Sequence, residues 1–216
     1  MHDRTRFERV APHLPGALRA AHRVGILVCL VSALAAPTPV VGQEEVPHYT
    51  IEQFLETTTI GGASFSSDGE RLLVSSDATG VFNAWAYRVD GSEPEQLTHS
   101  TGDSFFAVSW FPSDDRFLYT ADEGGNELNH LDVRSPDGSV SDLTPGENLR
   151  ASFLGWSGDG SEFFVQTNER NPQAFDVWIY DTEAYERRLL FENDGRFFPA
   201  RVSQDGRYVA LTDFRT

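Results

Sequence analysis

From Gly61 onward, short runs rich in aromatic and β-branched residues alternate with clusters of small and polar ones. Four stretches share one pattern: an aromatic or aliphatic residue, two or three small or polar residues, Asp-Gly or Asp-Asp, a charged or polar residue, then an apolar run. They read Phe65-Ser-Ser-Asp-Gly-Glu-Arg-Leu-Leu-Val, Phe111-Pro-Ser-Asp-Asp-Arg-Phe-Leu-Tyr, Trp156-Ser-Gly-Asp-Gly-Ser-Glu-Phe-Phe-Val and Val202-Ser-Gln-Asp-Gly-Arg-Tyr-Val-Ala-Leu. Their aspartates, Asp68, Asp114, Asp159 and Asp205, stand 46, 45 and 46 residues apart, a register that chance does not keep. Aligned on them, Ser66, Pro112, Ser157 and Ser203 share one position.

Each Asp-Gly predicts a β-hairpin, because glycine tolerates the positive φ of a tight turn. A second strand pair follows in each unit: Asn83 to Val89 with Glu95 to Thr98, Leu128 to Val133 with Ser141 to Thr144, and Phe175 to Tyr180 with Arg188 to Phe191. The turns between them are Asp90-Gly91, Asp137-Gly138 and Thr182-Glu-Ala-Tyr. Four strands per period of about 45 residues is the arithmetic of a β-propeller blade. A β-solenoid would use a shorter coil, and a sandwich would not repeat its own sequence. The predicted fold is therefore an all-β propeller over residues 61–216, with three complete blades and part of a fourth that stops just after the strand Tyr208 to Leu211. Propellers close with at least about four blades, so the chain is expected to be the front portion of a longer gene product. One helical turn or two is expected in a lead-in over residues 43–60, where Thr50-Ile-Glu-Gln matches a capping box ahead of Phe54-Leu55.

Residues 1–42 have another character. Arg4, Arg6, Arg9, Arg19 and Arg23 precede the apolar run Val24 to Ala36, and small residues follow around Ala35 and Gly42. Basic, then apolar, then small is the order of a secretory signal, with cleavage after Ala35 or Gly42. A run of 13 residues is short for a bilayer span, which takes about 20, so no stable membrane anchor is expected after cleavage. Cys29 lacks the preceding Gly or Ala that a lipoprotein signal would want. The protein is expected to be exported, to the periplasm or beyond.

Charge narrows the partners. The chain has 17 arginines, no lysine, 33 acidic residues and a formal net charge of −16, which repels nucleic acid. Without residues 1–42, 12 arginines face 31 acidic residues and no cysteine remains, so neither a disulfide nor a thiolate site is expected there.

Several phrases then carry a resemblance. Tyr49-Thr-Ile-Glu-Gln-Phe-Leu, Ala121-Asp-Glu-Gly-Gly-Asn-Glu-Leu-Asn-His, Asp142-Leu-Thr-Pro-Gly, Thr167-Asn-Glu-Arg-Asn-Pro-Gln-Ala-Phe-Asp-Val and Val202-Ser-Gln-Asp-Gly-Arg resemble the N-terminal propeller of secreted bacterial serine peptidases of the prolyl oligopeptidase family. The resemblance covers residues 49–216. It implies a following α/β-hydrolase domain of the same gene product that carries Ser, Asp and His, with the propeller admitting short peptides and excluding folded proteins. The alternative is a non-catalytic, TolB-like envelope propeller that acts as an interaction module, since the Asp-Gly blade turn is common to both.

No catalytic residue is expected in this chain. A nucleophile elbow needs Gly-x-Ser-x-Gly on a strand-to-helix turn. Gly62-Ala-Ser64-Phe-Ser66 has serine at the last glycine. Gly155-Trp-Ser157-Gly-Asp159 has aspartate there, and Ser157 shares its place with Ser66 and Ser203, which makes it a hairpin residue. His99, His130 and Glu127 lack the paired spacing of a zinc site, and the Asp-rich turns lack alternating oxygen ligands for Ca²⁺, so neither metal nor cofactor is expected. Trp85, Trp110, Trp156 and Trp178 are read as packing between blades. Glu127 and Arg170 each break an apolar or turn-like stretch, and are the two candidates for a gate or a peptide contact; a loop-holding role is the other reading for both.

Overall fold

The computed structural model describes residues 48–213, so the basic and apolar segment of residues 1–42, with Cys29 and both cleavage positions, lies outside the described residues. The lead-in helix α1 (Ile51–Leu55) begins where the capping box places it. The Gln53 N–H donates to Thr50 Oγ1 at 3.1 Å, and the Thr50 N–H donates to Gln53 Oε1 at 3.0 Å.

Beyond it, the described residues form antiparallel sheets in chain order. Blade 1 is β1 (Ile60–Phe65), β2 (Arg71–Ser76), β3 (Asn83–Arg88) and β4 (Glu95–Gln96). Blade 2 is β5 (Phe105–Trp110), β6 (Phe117–Ala121), β7 (His130–Arg134) and β8 (Val140–Asp142). Blade 3 is β9 (Ala151–Trp156), β10 (Glu162–Asn171), β11 (Ala174–Asp181) and β12 (Arg187–Phe191). Two strands of a fourth blade follow, β13 (Phe198–Val202) and β14 (Val209–Thr212). Each four-stranded sheet is a meander in which every strand pairs with its sequence neighbours. This is a β-propeller.

The second strand of each inner blade is an unbroken apolar run because both faces of the blade are covered. Phe117 and Tyr119 pack with Leu73, Ala84 and Ala86 of blade 1, while Leu118 between them packs with Phe163, Val165 and Tyr180 of blade 3. On β10, Phe164 turns the other way and meets Val202 and Val209. Burying a side chain of this size contributes roughly 1.5–3 kcal/mol, so the interfaces between blades are the core. The tryptophans take part: Trp110 lies between blades 1 and 2, and the Trp156 Nε1–H donates to Ser109 Oγ of blade 2 at 2.9 Å.

The repeat also carries a bulge that the hydrophobic pattern does not announce. Register slips by one residue at Val108 between β5 and β6, at Leu154 between β9 and β10, and at Ala200 between β13 and β14. An extra residue at the same place in each first strand increases local twist.

Strand pairing corrects the alignment of the second unit. Phe65 faces Leu72, Trp156 faces Phe163 and Val202 faces Val209, but in blade 2 Trp110 faces Phe117. Phe111, rather than Pro112, therefore stands where Ser66, Ser157 and Ser203 stand, and its N–H closes the loop on Arg116 O at 2.8 Å. Asp114 occupies the place of Gly69, one residue later than the other aspartates. The physical reason is the missing glycine: Gly69, Gly160 and Gly206 sit at φ 72°, 72° and 66°, a region an L side chain enters only with strain. The blade 2 loop folds instead around Arg116, whose guanidinium binds Asp114 and donates to Thr182 O and Tyr185 Oη, both at 2.7 Å.

Candidate functional site

The near-miss serines are built into turns. Ser157 Oγ donates to Asp159 Oδ1 at 2.7 Å and accepts the Glu162 N–H at 2.9 Å. Ser203 repeats this with Asp205 and Tyr208, and Ser66 with Asp68 and Arg71. The Ser157 hydroxyl and the Ser161 N–H and hydroxyl hold the Asp159 carboxyl down at about 2. A hydroxyl whose proton goes to a carboxylate of such low basicity has no general base, so Ser157 lacks what a nucleophile needs. Ser64 accepts the Trp110 N–H at 3.1 Å and sits 3.2 Å from Ser109 Oγ, between the first strands of two blades.

The two residues singled out in the sequence lie in different blades. Glu127, on the loop between β6 and β7, is exposed and has φ 60°. Its N–H donates to Asp122 Oδ2 at 2.9 Å. Arg170, at the end of β10, clamps a buried aspartate: Nε and Nη2 donate to the two carboxylate oxygens of Asp176 at 2.8 and 2.9 Å. Nη2 also donates to Asn193 O at 2.7 Å, and Glu192 lies 3.3 Å from Nη1. Asp176 is only 1% exposed and additionally accepts the Asn193 N–H at 2.7 Å. The Arg170 to Asp176 phrase is thus one physical unit that ties the β10–β11 hairpin to the connection leaving the blade.

Beside Glu127, the same loop roofs a cavity of about 220 Å³ lined by Asp122, Glu123, His130, Asp132, Gly146 and Glu147, among others. His130 lies within 2.8 Å of Asp142 Oδ2 through Nδ1 and 3.0 Å from Gly146 O through Nε2. Both neighbours are acceptors, so both contacts are hydrogen bonds only when the imidazole carries two protons. Asp142 also accepts the Thr144 N–H at 2.8 Å. Asp132 is its cross-strand partner, 9% exposed. Burial first, then the Asp142 charge, push the Asp132 carboxyl up to about 6, with His130 acting the other way. The structure brings His130 together with Asp142 and Asp132, and leaves His99 elsewhere, lining a separate cleft with Phe105 and Arg134. Among the described residues no group of His, Cys, Asp and Glu is arranged to hold a metal ion.

Sequence reasoning missed Asp132, although one signal was there. Strand pairing puts it opposite Tyr119, just as Trp85 stands opposite Val74 and Trp178 opposite Val165. Blade 2 has a carboxylate where blades 1 and 3 have tryptophan, and the shifted alignment of the second unit concealed the substitution.

No family model matches the chain. Over 113 residues, 47% of its length, it is 34% identical to an uncharacterized protein of Agrobacterium fabrum, of which it covers 38%. Among solved structures it resembles TolB from Acinetobacter baumannii, with TM-score 0.53 and 18% identity over 71% of this chain and 37% of that one. TolB from Agrobacterium tumefaciens gives 0.51 and 18%, over 72% and 54%. A prolyl endopeptidase structure gives 0.53 and 13%, over 67% and 23%. The chain spans well under two thirds of each of these proteins, and at such identities the likeness establishes a β-propeller fold, common to TolB and prolyl endopeptidase structures.

Proposed function

We propose that the chain is the propeller portion of an exported serine peptidase of the prolyl oligopeptidase family, gating the access of peptides to a catalytic α/β-hydrolase domain of the same gene product. The observation that supports this most is the phrase Thr167 to Val177. It is one of the two more particular phrases that resemble the peptidases, the other being Gly124-Gly-Asn-Glu, and it folds as a single clamp around Asp176 and Arg170. The propeller fold is compatible with that role, and Ser157 is occupied in a turn, so the nucleophile belongs to the other domain. Glu127, on a loop of blade 2, and Arg170, at the end of β10 in blade 3, are the proposed peptide-contact or gate residues. The strong negative charge favours the cationic amino end of a peptide and disfavours nucleic acid.

Reading the genomic sequence past Thr216 provides the first test: an in-frame continuation with further blades, Gly-x-Ser-x-Gly and later Asp and His is expected. The 216-residue chain should not react with a fluorophosphonate serine probe or hydrolyse a proline-containing dipeptide amide, whereas the extended protein should do both. Specific labelling of the short chain that vanishes on denaturation would overturn the proposal. Export is tested by N-terminal sequencing of periplasmic or secreted material, expected to begin after Ala35 or Gly42.

The second reading, a non-catalytic TolB-like envelope module, is favoured by the higher identity to the two TolB structures, 18% against 13%. A stop codon soon after blade completion, or an extended protein silent to the probe, would select it.

A further inference from the structure

Two carboxylates face each other across β7 and β8, an arrangement that destabilises a sheet unless something positive intervenes. His130 and the Thr144 N–H satisfy Asp142. Asp132 has neither a hydrogen bond nor an ion pair among the described residues, although its side chain belongs to a residue more than nine-tenths buried. A buried carboxylate without a hydrogen-bond partner is costly, and a cation arriving from outside would offset that cost. Its open side is the cavity under the β6–β7 loop, whose rim adds Asp122, Glu123 and Glu147. No arginine lines it, and its volume is several times the roughly 30 Å³ of one water. The donors are not arranged for a metal ion, so a cation with spread charge and N–H donors suits them better.

We propose that this cavity binds an organic cation, a guanidinium group, with Asp132 as its buried counter-ion and the Asp122, Glu123 and Glu147 carboxylates as its mouth. Asp132 stands at the position that tryptophan holds in blades 1 and 3. Glu127 contributes through its backbone, which sets the loop that roofs the site.

The test is calorimetric titration of the full chain with agmatine, using as control its ureido analogue, in which a neutral urea replaces the guanidinium and the amine is kept. Agmatine is expected to bind with one site per chain and the analogue not to bind. Asp132→Asn should weaken binding at least tenfold. Glu147→Arg, an exposed change that sets a tethered guanidinium at the mouth, should do the same without lowering the melting midpoint. Asp90→Asn, which removes one exposed carboxylate from another turn, should leave the affinity unchanged. If agmatine fails to bind, if Asp132→Asn and Glu147→Arg bind it as the unaltered chain does, or if Asp90→Asn weakens it equally, the site is refuted. Displacement of agmatine by equimolar Ca²⁺ would overturn the chemical class.

Discussion

At the scale of single residues, Asp132 and Ser157 show how context assigns a role to an ordinary side chain. The Asp132 carboxyl titrates at about 6 in the fold against an ordinary 3.8, so between those values the native state holds a proton that the unfolded chain has released. Stability therefore falls as pH rises through that window, and by pH 7.5 the full cost, roughly 2–3 kcal/mol, is present. Tyr119 of β6, His130 of β7, Asp142 of β8 and the rim carboxylates Asp122, Glu123 and Glu147 surround this group; Asp142 adds to the cost and His130 lessens it. Asp132→Asn should raise the melting midpoint at pH 7.5 and give no such gain at pH 4, as measured by calorimetry. Ser157→Ala should cost less than about 1.5 kcal/mol, the net worth of an ordinary hydrogen bond. In that variant the Asp159 carboxyl should titrate closer to 3.8 by NMR, because its strongest stabilising donor is gone. An unchanged Asp159 titration would show that the hydroxyl does not belong to the turn.

At the scale of the element, hairpins that look alike in sequence differ in what surrounds them. A Cβ on Gly69 would meet open space, whereas one on Gly160 would meet Pro112 Cβ at 3.0 Å, and both glycines have φ 72°. Gly69→Val should therefore cost about 1 kcal/mol for the backbone alone, and Gly160→Val clearly more, read from denaturant midpoints at constant slope. Equal effects would mean that the turn of blade 3 does not press on blade 2. The Arg170 clamp gives another contrast. Arg170→Ala strands a carboxylate that is 1% exposed, while Arg88→Ala only frees the exposed Glu70 and Asp90. The first should lower the midpoint markedly and the second barely. Adding Asp176→Ala to Arg170→Ala should restore part of the loss.

The molecule as a whole carries a formal net charge of −16, and its exposed ion pairs offset little of the resulting repulsion, each being worth at most about 1 kcal/mol. Salt screens repulsion over distances near 10 Å at 0.1 M. Raising NaCl from about 10 mM to 300 mM should thus raise the melting midpoint. A fall would mean that ion pairs such as Arg187–Glu169 outweigh the general field.

Composition and spacing by themselves determined the blade repeat, its hairpins and the capped helix, because each rests on local physics: glycine at positive φ, alternation along a strand, a threonine hydroxyl within reach of its own helix end. Spacing also put Ser157 with Ser66 and Ser203, where strand pairing finds them. What only the tertiary structure decided depends on partners distant in the chain. The bulges at Val108, Leu154 and Ala200 are slips against a neighbouring strand and leave no mark in the order of residues. The one-residue shift in blade 2 goes with Asp115 standing where the sequence repeat has its turn glycine and with Arg116 reaching Thr182 and Tyr185 of blade 3 instead. Arg170 is legible as an oddity but not as a clamp, since Asn193 closes it from 23 residues away. Asp132 looks like one more acid in an acidic chain until β6 and β8 fold over it, and burial, a property of the assembled sheet, makes its charge matter.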